Sequence, residues 1–424
     1  MYRDTMFMRQ GLCPEDCHAC VDVCPQKTPG GLAGIKKVKK ADRWGIALCN
    51  QCGEPACVPS CPTGALSRND NGIVTVGQEL CTGCGSCESS CPYDGIYVDD
   101  IAVKCDYCGG EPKCVAACPH GVLRFAQSKK IIDHYVMDDP VSPGLALCSG
   151  CTAELAIRVV SRVLGPNTIY FGAPSCCNMG GSTKMPTFGC LMTNVSSTMT
   201  GVKRYWNRTH QEANVVGFIG DGTSTDVGFQ PLSGATERGE NIIHICYDNE
   251  GYMNTGIQRS STTPPHAWTQ TTQIGPMSRG KSRPQKYVPL LLALQGAAYV
   301  ATATLSHLDD FAMKLEKAKS IKNGLSYIHL FCPCPTGWRA AEDKGVEICR
   351  LAVDTNFFPL WEMENSRLTF NVEVHHPRPL TDYLKLMRRF AHYNQEDLDN
   401  LQKEVDARLL LLKRFVDEPR PVCP

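Results

Sequence analysis

Short apolar runs alternate with amphipathic stretches over the central part of the chain. The runs are rich in β-branched and aromatic residues, a pattern that is typical of buried parallel strands. These runs are NTIYFG, VVGFI, IIHICY and SYIHLF. The stretch AELAIRVVSRVLG instead places its apolar residues at helical spacing. The alternation extends to about Val353 and predicts an α/β domain, with a parallel sheet and helices on both of its faces.

A longer apolar run, residues 288–305, approaches the length of a membrane span. Pro289, Gln295 and Gly296 interrupt this run, and a polar segment with two aspartates follows it. A membrane-spanning helix needs about 20 consecutive, predominantly apolar residues. We therefore predict a buried helix and a buried strand of the α/β core here, and no association with a membrane.

The pattern divides the chain into four segments. Residues 1–125 contain short β-type runs between cysteine motifs, which predicts an α+β, ferredoxin-like domain in which the runs form hairpins. Residues 126–146 include two prolines and no candidate metal ligand, and we predict a linker. Residues 147–375 are the α/β domain. Residues 376–424 are predicted to be a helical extension that packs on the body or on a partner subunit. Its two predicted helices are DYLKLMRRFAHYN and DLDNLQKEVDARLLLLKRFVDE.

Composition limits the possible functions. Lysine and arginine together number 43, as do aspartate and glutamate, so the balanced charge gives no reason to predict binding to nucleic acid or to an anionic membrane. The basic run at residues 36–43 is expected to be a solvated loop. No secretory signal pattern opens the chain. There are 26 cysteines, 16 of them between Cys13 and Cys118, at spacings typical of metal ligation rather than of a disulfide framework. We therefore expect a reducing compartment, the cytoplasm, in an organism or niche low in oxygen.

Four near-repeats of four cysteines, each ending in Cys-Pro, fill the first 120 residues. They are Cys13, Cys17, Cys20, Cys24; Cys49, Cys52, Cys57, Cys61; Cys81, Cys84, Cys87, Cys91; and Cys105, Cys108, Cys114, Cys118. The third repeat matches the bacterial ferredoxin spacing, and the others carry insertions before the third cysteine. In that motif three thiolates bind one [4Fe–4S] cluster and the fourth binds its neighbour. We predict four relay clusters, since four zinc sites would lack the Cys-Pro endings.

The strongest chemical signal in the α/β domain is a pair of motifs at strand ends. Gly220-Asp221-Gly222 follows VVGFI, and Asp248-Asn249 follows IIHICY, 26 residues beyond the second glycine. This spacing is that of a thiamine diphosphate site, whose Mg²⁺ needs hard oxygen ligands. Mg²⁺ is predicted to bind the Asp221 carboxylate, the Asn249 amide oxygen and the Gly251 carbonyl. The glycines allow the backbone to approach the diphosphate. The cofactor-binding residues are predicted to be Gly220, Asp221, Gly222, Thr223, Asn249, Gly251, Asn254 and Thr255. The alternative is a pair of ordinary turns.

Several cysteines outside the repeats also follow strands or precede a helix. Cys148-x-x-Cys151 precedes the first amphipathic stretch, Cys176-Cys177 follows NTIYFG, and Cys332-Pro-Cys334-Pro follows SYIHLF. Loops at such ends converge in an α/β sheet, so these residues are able to supply four thiolates to a fifth [4Fe–4S] cluster. The remaining cysteines are predicted to be small core residues. They are Cys190, Cys246, Cys349 and Cys423.

Residues 146–374 resemble the β subunit of the 2-oxoacid:ferredoxin oxidoreductases, the pyruvate synthase family. The resemblance rests on DNEGYMNTGIQRSSTTP and on the stretch from SYIHL through CPCPTGW to LAVDTNFFPLWE. It implies a proximal cluster beside the thiamine, held by Cys148, Cys151, one of the two adjacent cysteines (Cys176 is preferred over Cys177) and Cys334. It also implies that Asn254 faces the substrate as a catalytic residue. In that family the coenzyme A site and the glutamate that activates the thiamine are on the α subunit, so the chain is expected to be inactive alone.

The N-terminal segment departs from ordinary members of that family. Its four motifs resemble the relay subunits of molybdopterin oxidoreductases and hydrogenases, in which the first motif pairs with the fourth and the second with the third. That pairing implies four groups of ligands. They are Cys13, Cys17, Cys20 with Cys118; Cys105, Cys108, Cys114 with Cys24; Cys49, Cys52, Cys57 with Cys91; and Cys81, Cys84, Cys87 with Cys61. The whole arrangement resembles the multi-subunit phenylglyoxylate dehydrogenases, whose electrons pass to a flavin subunit and NAD.

The resemblance implies oxidative decarboxylation of a 2-oxoacid to an acyl-CoA and CO₂, with electrons leaving through the clusters. Phenylglyoxylate is the expected substrate and NAD the expected acceptor, with pyruvate and ferredoxin as the alternative. The expected partners are α, γ and δ-type subunits and the flavin subunit. Two other functions remain open: a pure electron-transfer subunit with a vestigial thiamine half, and a non-oxidative decarboxylase. The intact Gly-Asp-Gly and Asp-Asn motifs oppose the first, and the cysteines beside them oppose the second.

Overall fold

The computed structural model describes residues 3–8, 13–40, 43–52, 55–69, 72–128, 140–177, 183–374 and 376–417. The chain divides into two compact units, Met1–Asp133 and His134–Pro424. The division falls within the segment predicted as a linker. Residues 126–128 of that segment nevertheless belong to a strand, and residues 129–139 lie outside the described part. Cys423, predicted to be a core residue, also lies outside it.

The first unit is built from short antiparallel pairs. Its strands are β1 (Arg3–Met8), β2 (Ile35–Lys40), β3 (Arg43–Leu48), β4 (Leu66–Arg68), β5 (Val74–Val76), β6 (Ile96–Val98), β7 (Ala102–Lys104) and β8 (Leu123–Ser128). β2 pairs with β3, β4 with β5 and β6 with β7, which confirms hairpins between the motifs. β8 instead pairs with β1 at the other end of the unit. The prediction of a loop for the basic run was wrong. Ile35–Lys40 is a strand, in which Lys36 and Lys37 lie over the rings of Tyr97 and Trp44.

One-turn helices carry the third cysteine of three of the motifs. They are α1 (Ala19–Asp22), α2 (Ser86–Ser89) and α3 (Lys113–Ala116). Two apolar clusters form the interior, one around Ile35, Ile46 and Leu48 and one around Leu66 and Ile96. Both clusters include cysteine side chains. The core of this unit is therefore shared between aliphatic residues and thiols.

The second unit contains an eight-stranded sheet. Its strands are β9 (Thr168–Gly172), β10 (Thr187–Gly189), β11 (Asn214–Gly220), β12 (Ile243–Asp248), β15 (Tyr299–Thr304), β16 (Ser326–Phe331), β17 (Leu360–Glu364) and β18 (Arg367–Val372), in the order β10-β9-β11-β12-β16-β15-β17-β18. The first six strands in this order are parallel, which confirms the predicted α/β class. β17 and β18 extend the sheet in antiparallel fashion. A separate hairpin joins β13 (Ile274–Gly275) and β14 (Ser278–Arg279).

Helices occupy most of the connections. They are α4 (Thr152–Leu164), α5 (Val195–Arg208), α6 (Phe229–Glu237), α7 (Val288–Leu294), α8 (Leu308–Ser320), α9 (Pro335–Trp338), α10 (Gly345–Asp354), α11 (Leu380–Leu384) and α12 (Gln395–Asp417). The long apolar run forms α7 and β15, as predicted. Within the described chain, no helix is both long enough and apolar enough to span a membrane.

The C-terminal extension differs from its prediction in one part. The stretch DYLKLMRRFAHYN contains only the end of α11 and a 3₁₀ turn, Arg388–Phe390, rather than one continuous helix. Met387 and Phe390 are buried there, since the chain folds back onto the body. α12 is a continuous helix and buries Leu401, Val405 and Leu412. The apolar side of the extension thus packs on the body of its own unit.

Candidate active site and thiol groups

The two predicted motifs meet at the carboxyl edge of the sheet. β11 and β12 are neighbouring parallel strands in which Gly220 lies opposite Tyr247, so Asp221 and Asp248 follow side by side. A π-helical segment, Gly222–Val227, begins directly after Asp221. Carboxyl ends of parallel strands are where α/β sheets bind ligands. The fold therefore brings together side chains that are 28 residues apart in the sequence, Asp221 and Asn249.

Three oxygen-bearing groups converge there. One polar atom of the Asn249 side-chain amide lies 3.0 Å from Asp221 Oδ1 and 2.8 Å from the Gly251 carbonyl oxygen. Asp221 and Asn249 are 1% and 9% exposed. With the amide nitrogen at that point, Asn249 donates to both neighbours; with the amide oxygen there, three acceptors face one another. In both orientations the Asn249 amide lies between the Asp221 carboxylate and the Gly251 carbonyl, and with its oxygen at that point the three predicted ligands of Mg²⁺ meet.

A second carboxylate makes this point strongly negative. Thr262 Oγ1 lies 3.0 Å from Asp221 Oδ2 and 2.8 Å from Asp248 Oδ1, and one hydroxyl proton cannot serve both carboxylates at once. Asp248 Oδ2 is in turn 2.8 Å from His329 Nε2. Burial raises the pKa of Asp221 well above its usual range, and the charge of Asp248 raises it further. In the cofactor-free protein, burial and the charge of Asp248 therefore favour the protonated form of Asp221, and a bound cation would reverse that preference.

A cleft of about 490 Å³ opens at this point. The predicted cofactor residues line it together: Gly220, Asp221, Gly222, Thr223, Asn249, Gly251, Asn254 and Thr255. Cys176 and Tyr252 also line it. A Cβ at Gly222 would lie only 2.5 Å from the Tyr252 ring, so the close approach of that ring requires glycine.

A buried ion pair, which none of the sequence motifs predicted, supports the Asn249 turn. Glu250 and Arg389 are each 2% exposed and form a salt bridge between Glu250 Oε2 and Arg389 Nη2. The Arg389 guanidinium lies 3.8 Å from the centre of the Trp338 ring. Trp338 Nε1 donates to the Asn249 carbonyl at 2.8 Å. Burial raises the pKa of Glu250 to about 7, while Arg389 lowers it. No sequence motif links Glu250 to Arg389, because they are 139 residues apart.

The predicted proximal thiols gather beside the same cleft. Burial raises the pKa of Cys176 to about 12, with further increases from Cys334, Cys151 and Cys148, in that order. Burial likewise raises the pKa of Cys334 to about 11, with Cys151 and Cys148 as its thiol neighbours. Cys334 Sγ accepts a hydrogen bond from the Gly337 amide at 3.2 Å. These four thiols therefore form one group.

Cys177 is buried more deeply than Cys176. It is 1% exposed, and its backbone amide donates to the Tyr247 hydroxyl at 3.3 Å. Burial raises its pKa well above the usual range, with Cys151 and Cys176 as thiol neighbours. Cys177 does not line the cleft, whereas Cys176 does. Of the other predicted core cysteines, Cys246 and Cys349 are fully buried and Cys190 is half-buried.

Two cavities in the first unit are lined by four cysteines each. One is lined by Cys61, Cys81, Cys84 and Cys87. The other is lined by Cys49, Cys52, Cys57 and Cys91. Backbone amides donate to sulfur in both: Ala102 to Cys81 at 3.3 Å and Gly95 to Cys91 at 3.4 Å. Each group combines three cysteines of one motif with the fourth cysteine of the other.

The remaining two groups are identified by the neighbours of each thiol. Burial raises the pKa of Cys20 to about 11, with Cys13, Cys114 and Cys118 as additional causes. Burial raises the pKa of Cys13, and Cys17 and Cys118 raise it further. Burial also raises the pKa of Cys114 and of Cys105. Cys108 and Cys24 add to the increase at Cys114, and Cys114 adds to the increase at Cys105. The first motif thus lies beside Cys118, and the fourth motif beside Cys24.

Positive charges accompany these groups. Lys104 is 3% exposed and donates to the Cys105 carbonyl at 3.0 Å, and its charge lowers the pKa of Cys57 against the larger effect of burial. The charge of Lys37 likewise lowers the pKa of Cys13 against the larger effect of burial. The described cysteines are all free. Among the described residues, no three His, Cys, Asp or Glu side chains are arranged to hold a single metal ion.

Comparison with known proteins agrees with this geometry. Residues 176–330 match the family described as "Thiamine pyrophosphate enzyme, C-terminal TPP binding domain", and residues 45–128 match the "4Fe-4S dicluster domain". The chain thus contains a thiamine diphosphate-binding domain and an iron–sulfur domain.

Three relatives cover the chain to different extents. The β subunit of NADH-dependent phenylglyoxylate dehydrogenase from Aromatoleum evansii is 39% identical over 95% of this chain and 96% of its own length. The pyruvate synthase subunit PorB of Methanothermobacter marburgensis is 41% identical over 63% of this chain and 95% of its own. The ketoisovalerate oxidoreductase subunit VorB of Pyrococcus furiosus is 39% identical over 65% and 92%. The chain belongs to the β subunits of the thiamine diphosphate-dependent 2-oxoacid oxidoreductases, enzymes that act as multi-subunit complexes.

Proposed function

We propose that this chain binds thiamine diphosphate through Mg²⁺ in the cleft at Asp221 and takes the electrons of 2-oxoacid oxidation into a [4Fe–4S] cluster at its wall. One observation carries the proposal. The three converging oxygen groups and the thiol of Cys176 line the same cleft. When bound, thiamine diphosphate supplies the nucleophilic carbon that makes decarboxylation of a 2-oxoacid possible.

The metal site is proposed to use Asp221, Asn249 and the carbonyl of Gly251. With the Asn249 oxygen turned inward, three acceptors face one another, and a cation between them satisfies all three. The second carboxylate, Asp248, adds negative charge that favours a divalent ion. Asn254 and Thr255 lie at the open side of the cleft, where Asn254 is proposed to orient the substrate.

The proximal cluster is proposed to bind Cys148, Cys151, Cys176 and Cys334. Cys176 has the other three as neighbours, whereas Cys177 has only Cys151 and Cys176 as thiol neighbours. Thiols whose pKa is raised by burial become thiolates only when a metal binds them. The amide of Gly337, which donates to Cys334, stabilises the negative charge of the bound thiolate.

The sixteen N-terminal cysteines are proposed to hold four relay clusters with first–fourth and second–third motif pairing. Two cavities of suitable composition and the neighbours of the other thiols support these four groups. Each cluster carries negative charge, and the buried ammonium of Lys104 compensates part of it. This gives five clusters in the chain.

The proposed reaction consumes a 2-oxoacid and coenzyme A and yields an acyl-CoA, CO₂, two electrons and a proton. We favour phenylglyoxylate as substrate and NAD, reached through a flavin subunit, as acceptor. The relative with that activity is similar over both units, whereas the pyruvate synthase relative covers 63% of the chain. Pyruvate with ferredoxin is the second candidate. The α, γ and δ-type subunits are the proposed partners, and the cytoplasm is the proposed compartment.

An assay of the complex, purified without oxygen, tests the substrate. Phenylglyoxylate, pyruvate and 2-oxoglutarate are compared with CoA present and with either NAD or a ferredoxin-type dye as acceptor. We expect phenylglyoxylate to give the highest kcat/KM and NAD to be reduced. Preference for pyruvate with the dye would support the second candidate. Absence of thiamine from the purified complex would instead indicate an electron-transfer subunit.

A further inference from the structure

The two cysteine-lined cavities of the first unit differ in charge. The second-motif cavity is the one lined by Cys49, Cys52, Cys57 and Cys91, and the third-motif cavity is the one lined by Cys61, Cys81, Cys84 and Cys87. Among the described residues, Lys104 is the one charged side chain that lines the second-motif cavity. The described lining of the third-motif cavity contains no Lys, Arg, Asp or Glu. Two similar groups of thiols therefore differ by one cation.

Backbone carbonyls hold the Lys104 ammonium in place. Lys104 ends β7, and its Nζ donates to the Cys105 carbonyl at 3.0 Å and also to the Val74 carbonyl of β5. Gln51 Nε2 donates to the same two oxygens, at 2.7 Å and 3.4 Å respectively. Lys104 and Gln51 are 3% and 1% exposed. The cation therefore has a fixed position inside the unit, shared with a buried amide.

No carboxylate pairs with this cation in the described part of the chain. A buried lysine is rare unless it is paired with an anion, because removing the ammonium from water is costly. The two carbonyls use two of its three N–H donors. The charge of Lys104 lowers the pKa of Cys57 against the larger effect of burial, so the ammonium and the thiol group interact. A cluster held by four thiolates is anionic and supplies the partner that the cation lacks.

The hydrogen bonds of Lys104 and Gln51 reach ligands of two proposed clusters. The Cys105 carbonyl belongs to the fourth motif, whereas Cys49 Sγ, of the second motif, accepts from the Gln51 backbone amide at 3.4 Å. Burial raises the pKa of Cys105 to about 12, and the charge of Lys104 lowers it only slightly. Because Lys104 lines the second-motif cavity, we expect its charge to act mainly on the cluster there.

Other cations near the cysteine motifs are in contact with solvent. Arg68 donates to the Gly72 carbonyl at 2.6 Å and to the Cys52 carbonyl, but it is exposed. Lys113 immediately precedes Cys114, as Lys104 precedes Cys105, and it is also exposed. Solvent and salt screen an exposed charge, whereas a buried charge is screened much less. Lys104 and Lys113 therefore share a sequence context and differ in burial.

We infer that Lys104 raises the reduction potential of the cluster in the second-motif cavity and makes that cluster a holding site for electrons in the relay. Reduction adds one electron, and therefore one negative charge, to a cluster, and a fixed cation in the cavity wall favours the reduced state. The electron comes from the oxidised 2-oxoacid and leaves to the acceptor, so no further reactant is needed. The inference rests on the proposed function, which assigns a [4Fe–4S] cluster to each cavity.

The test is a redox titration of the co-purified complex, followed by electron paramagnetic resonance. Lys104→Gln and Lys104→Met remove the charge, and Lys104→Gln keeps donors for the two carbonyls. Lys104→Arg keeps the charge, and Lys113→Met is the matched control. Cys52→Ser identifies the signal of the second-motif cluster, because serine is a poor ligand for its iron.

We expect the equilibrium constant for reduction of that one cluster to fall about tenfold or more in both neutral variants, since a buried unit charge interacts strongly with the added electron. For a one-electron step, tenfold corresponds to a potential lower by about 59 mV. The potentials in Lys104→Arg and Lys113→Met, and the iron content of all the variants, should stay close to the wild type. With substrate limiting and no acceptor, the reduced fraction of this cluster should also fall in Lys104→Gln.

Each other outcome has a defined meaning. An unchanged potential in a neutral variant with full iron content overturns the inference. A shift of equal size in Lys113→Met or in Lys104→Arg also overturns it, because burial or charge then has no effect. Loss of iron from all three Lys104 variants assigns this residue a structural role only, which again overturns it. In these cases a wild type whose clusters the 2-oxoacid reduces leaves the proposed function intact. If the wild type shows no [4Fe–4S] signals, the proposed function itself fails.

Discussion

The substitution Asp221→Asn separates two effects of this residue. One is its binding of the metal, and the other is the loss of stability that its buried charge causes in the cofactor-free protein. Asparagine has nearly the same shape, so the contacts with Thr262 and Asn249 are able to persist. Only the charge is removed. We expect the variant to lose Mg²⁺ and thiamine diphosphate while the cofactor-free protein becomes more stable.

The magnitude follows from the geometry. Asp221 Oδ2 and Asp248 Oδ1 each lie within 3.0 Å of one hydroxyl oxygen, so they are at most about 6 Å apart. At an effective dielectric constant of about 20, two unit charges at that separation repel by about 3 kcal/mol. At a pH at which Asp221 is ionised in the cofactor-free wild type, the variant therefore gains about that amount or more. Saturation with a ligand at 100 times its Kd stabilises the wild type by about 2.7 kcal/mol and leaves the variant unchanged.

The pH dependence has a defined sign. The pKa of Asp221 in the folded, cofactor-free protein lies well above 3.8, because of burial and then the charge of Asp248. A carboxyl group with a raised pKa contributes stability at low pH that is lost as the pH rises through the folded-state pKa. The cofactor-free wild type should lose this stability on going to higher pH, and Asp221→Asn should not.

The assay is thermal unfolding of the complex with and without Mg²⁺ and thiamine diphosphate, together with the thiamine content after isolation. Asp343→Asn is the control, since its side chain is 76% exposed. The iron content should be the same in all three proteins. Full thiamine occupancy in Asp221→Asn, or a cofactor-free variant that is less stable than the wild type, would refute the reasoning.

Three further predictions concern the clusters and the buried ion pair. Iron analysis should give about twenty atoms per chain, four for each of five clusters, and a value near eight would contradict the four-cluster relay. Serine is a poor ligand for iron in such sites, so Cys334→Ser should prevent the 2-oxoacid and CoA from reducing any cluster. Cys81→Ser should instead leave a substrate-reduced cluster signal and stop only the transfer of electrons to the final acceptor. Identical unreduced spectra of the two variants would contradict the two-stage path. Because burial raises the pKa of Glu250 to about 7, this group should lower the stability of the wild type as the pH rises from about 4.5 through 7, and Glu250→Gln should remove that contribution while the contribution of Asp221 remains. Arg389→Met should cost about 3–5 kcal/mol in thermal unfolding by leaving Glu250 buried without its partner. Parallel pH profiles for wild type and Glu250→Gln would count against the raised pKa of Glu250.

Much of the architecture could be predicted because the signals are local. Alternating apolar runs and helical stretches predicted the α/β sheet, since each element buries a recognisable face. The cysteine repeats and the Gly-Asp-Gly and Asp-Asn motifs predicted the chemistry, since metal and diphosphate binding require particular residue types at fixed spacing. The predictions that were wrong, the loop at residues 36–43 and the continuous helix at 382–394, concern segments whose structure depends on packing. Lysines there pack on aromatic rings, and Phe390 turns into the body.

The sequence by itself determined which residues could bind metal and cofactor, because the residue types and their spacing are characteristic of such binding. Only the tertiary structure decided which of them meet. It brought Cys176 beside Cys334 and the cofactor cleft, while Cys177, at 1% exposure, is buried outside that cleft. It also placed Arg389, 139 residues away, against Glu250. Such contacts depend on the free energy of burying a charge or a thiol in one particular environment, and that environment exists only after the distant parts of the chain have packed together.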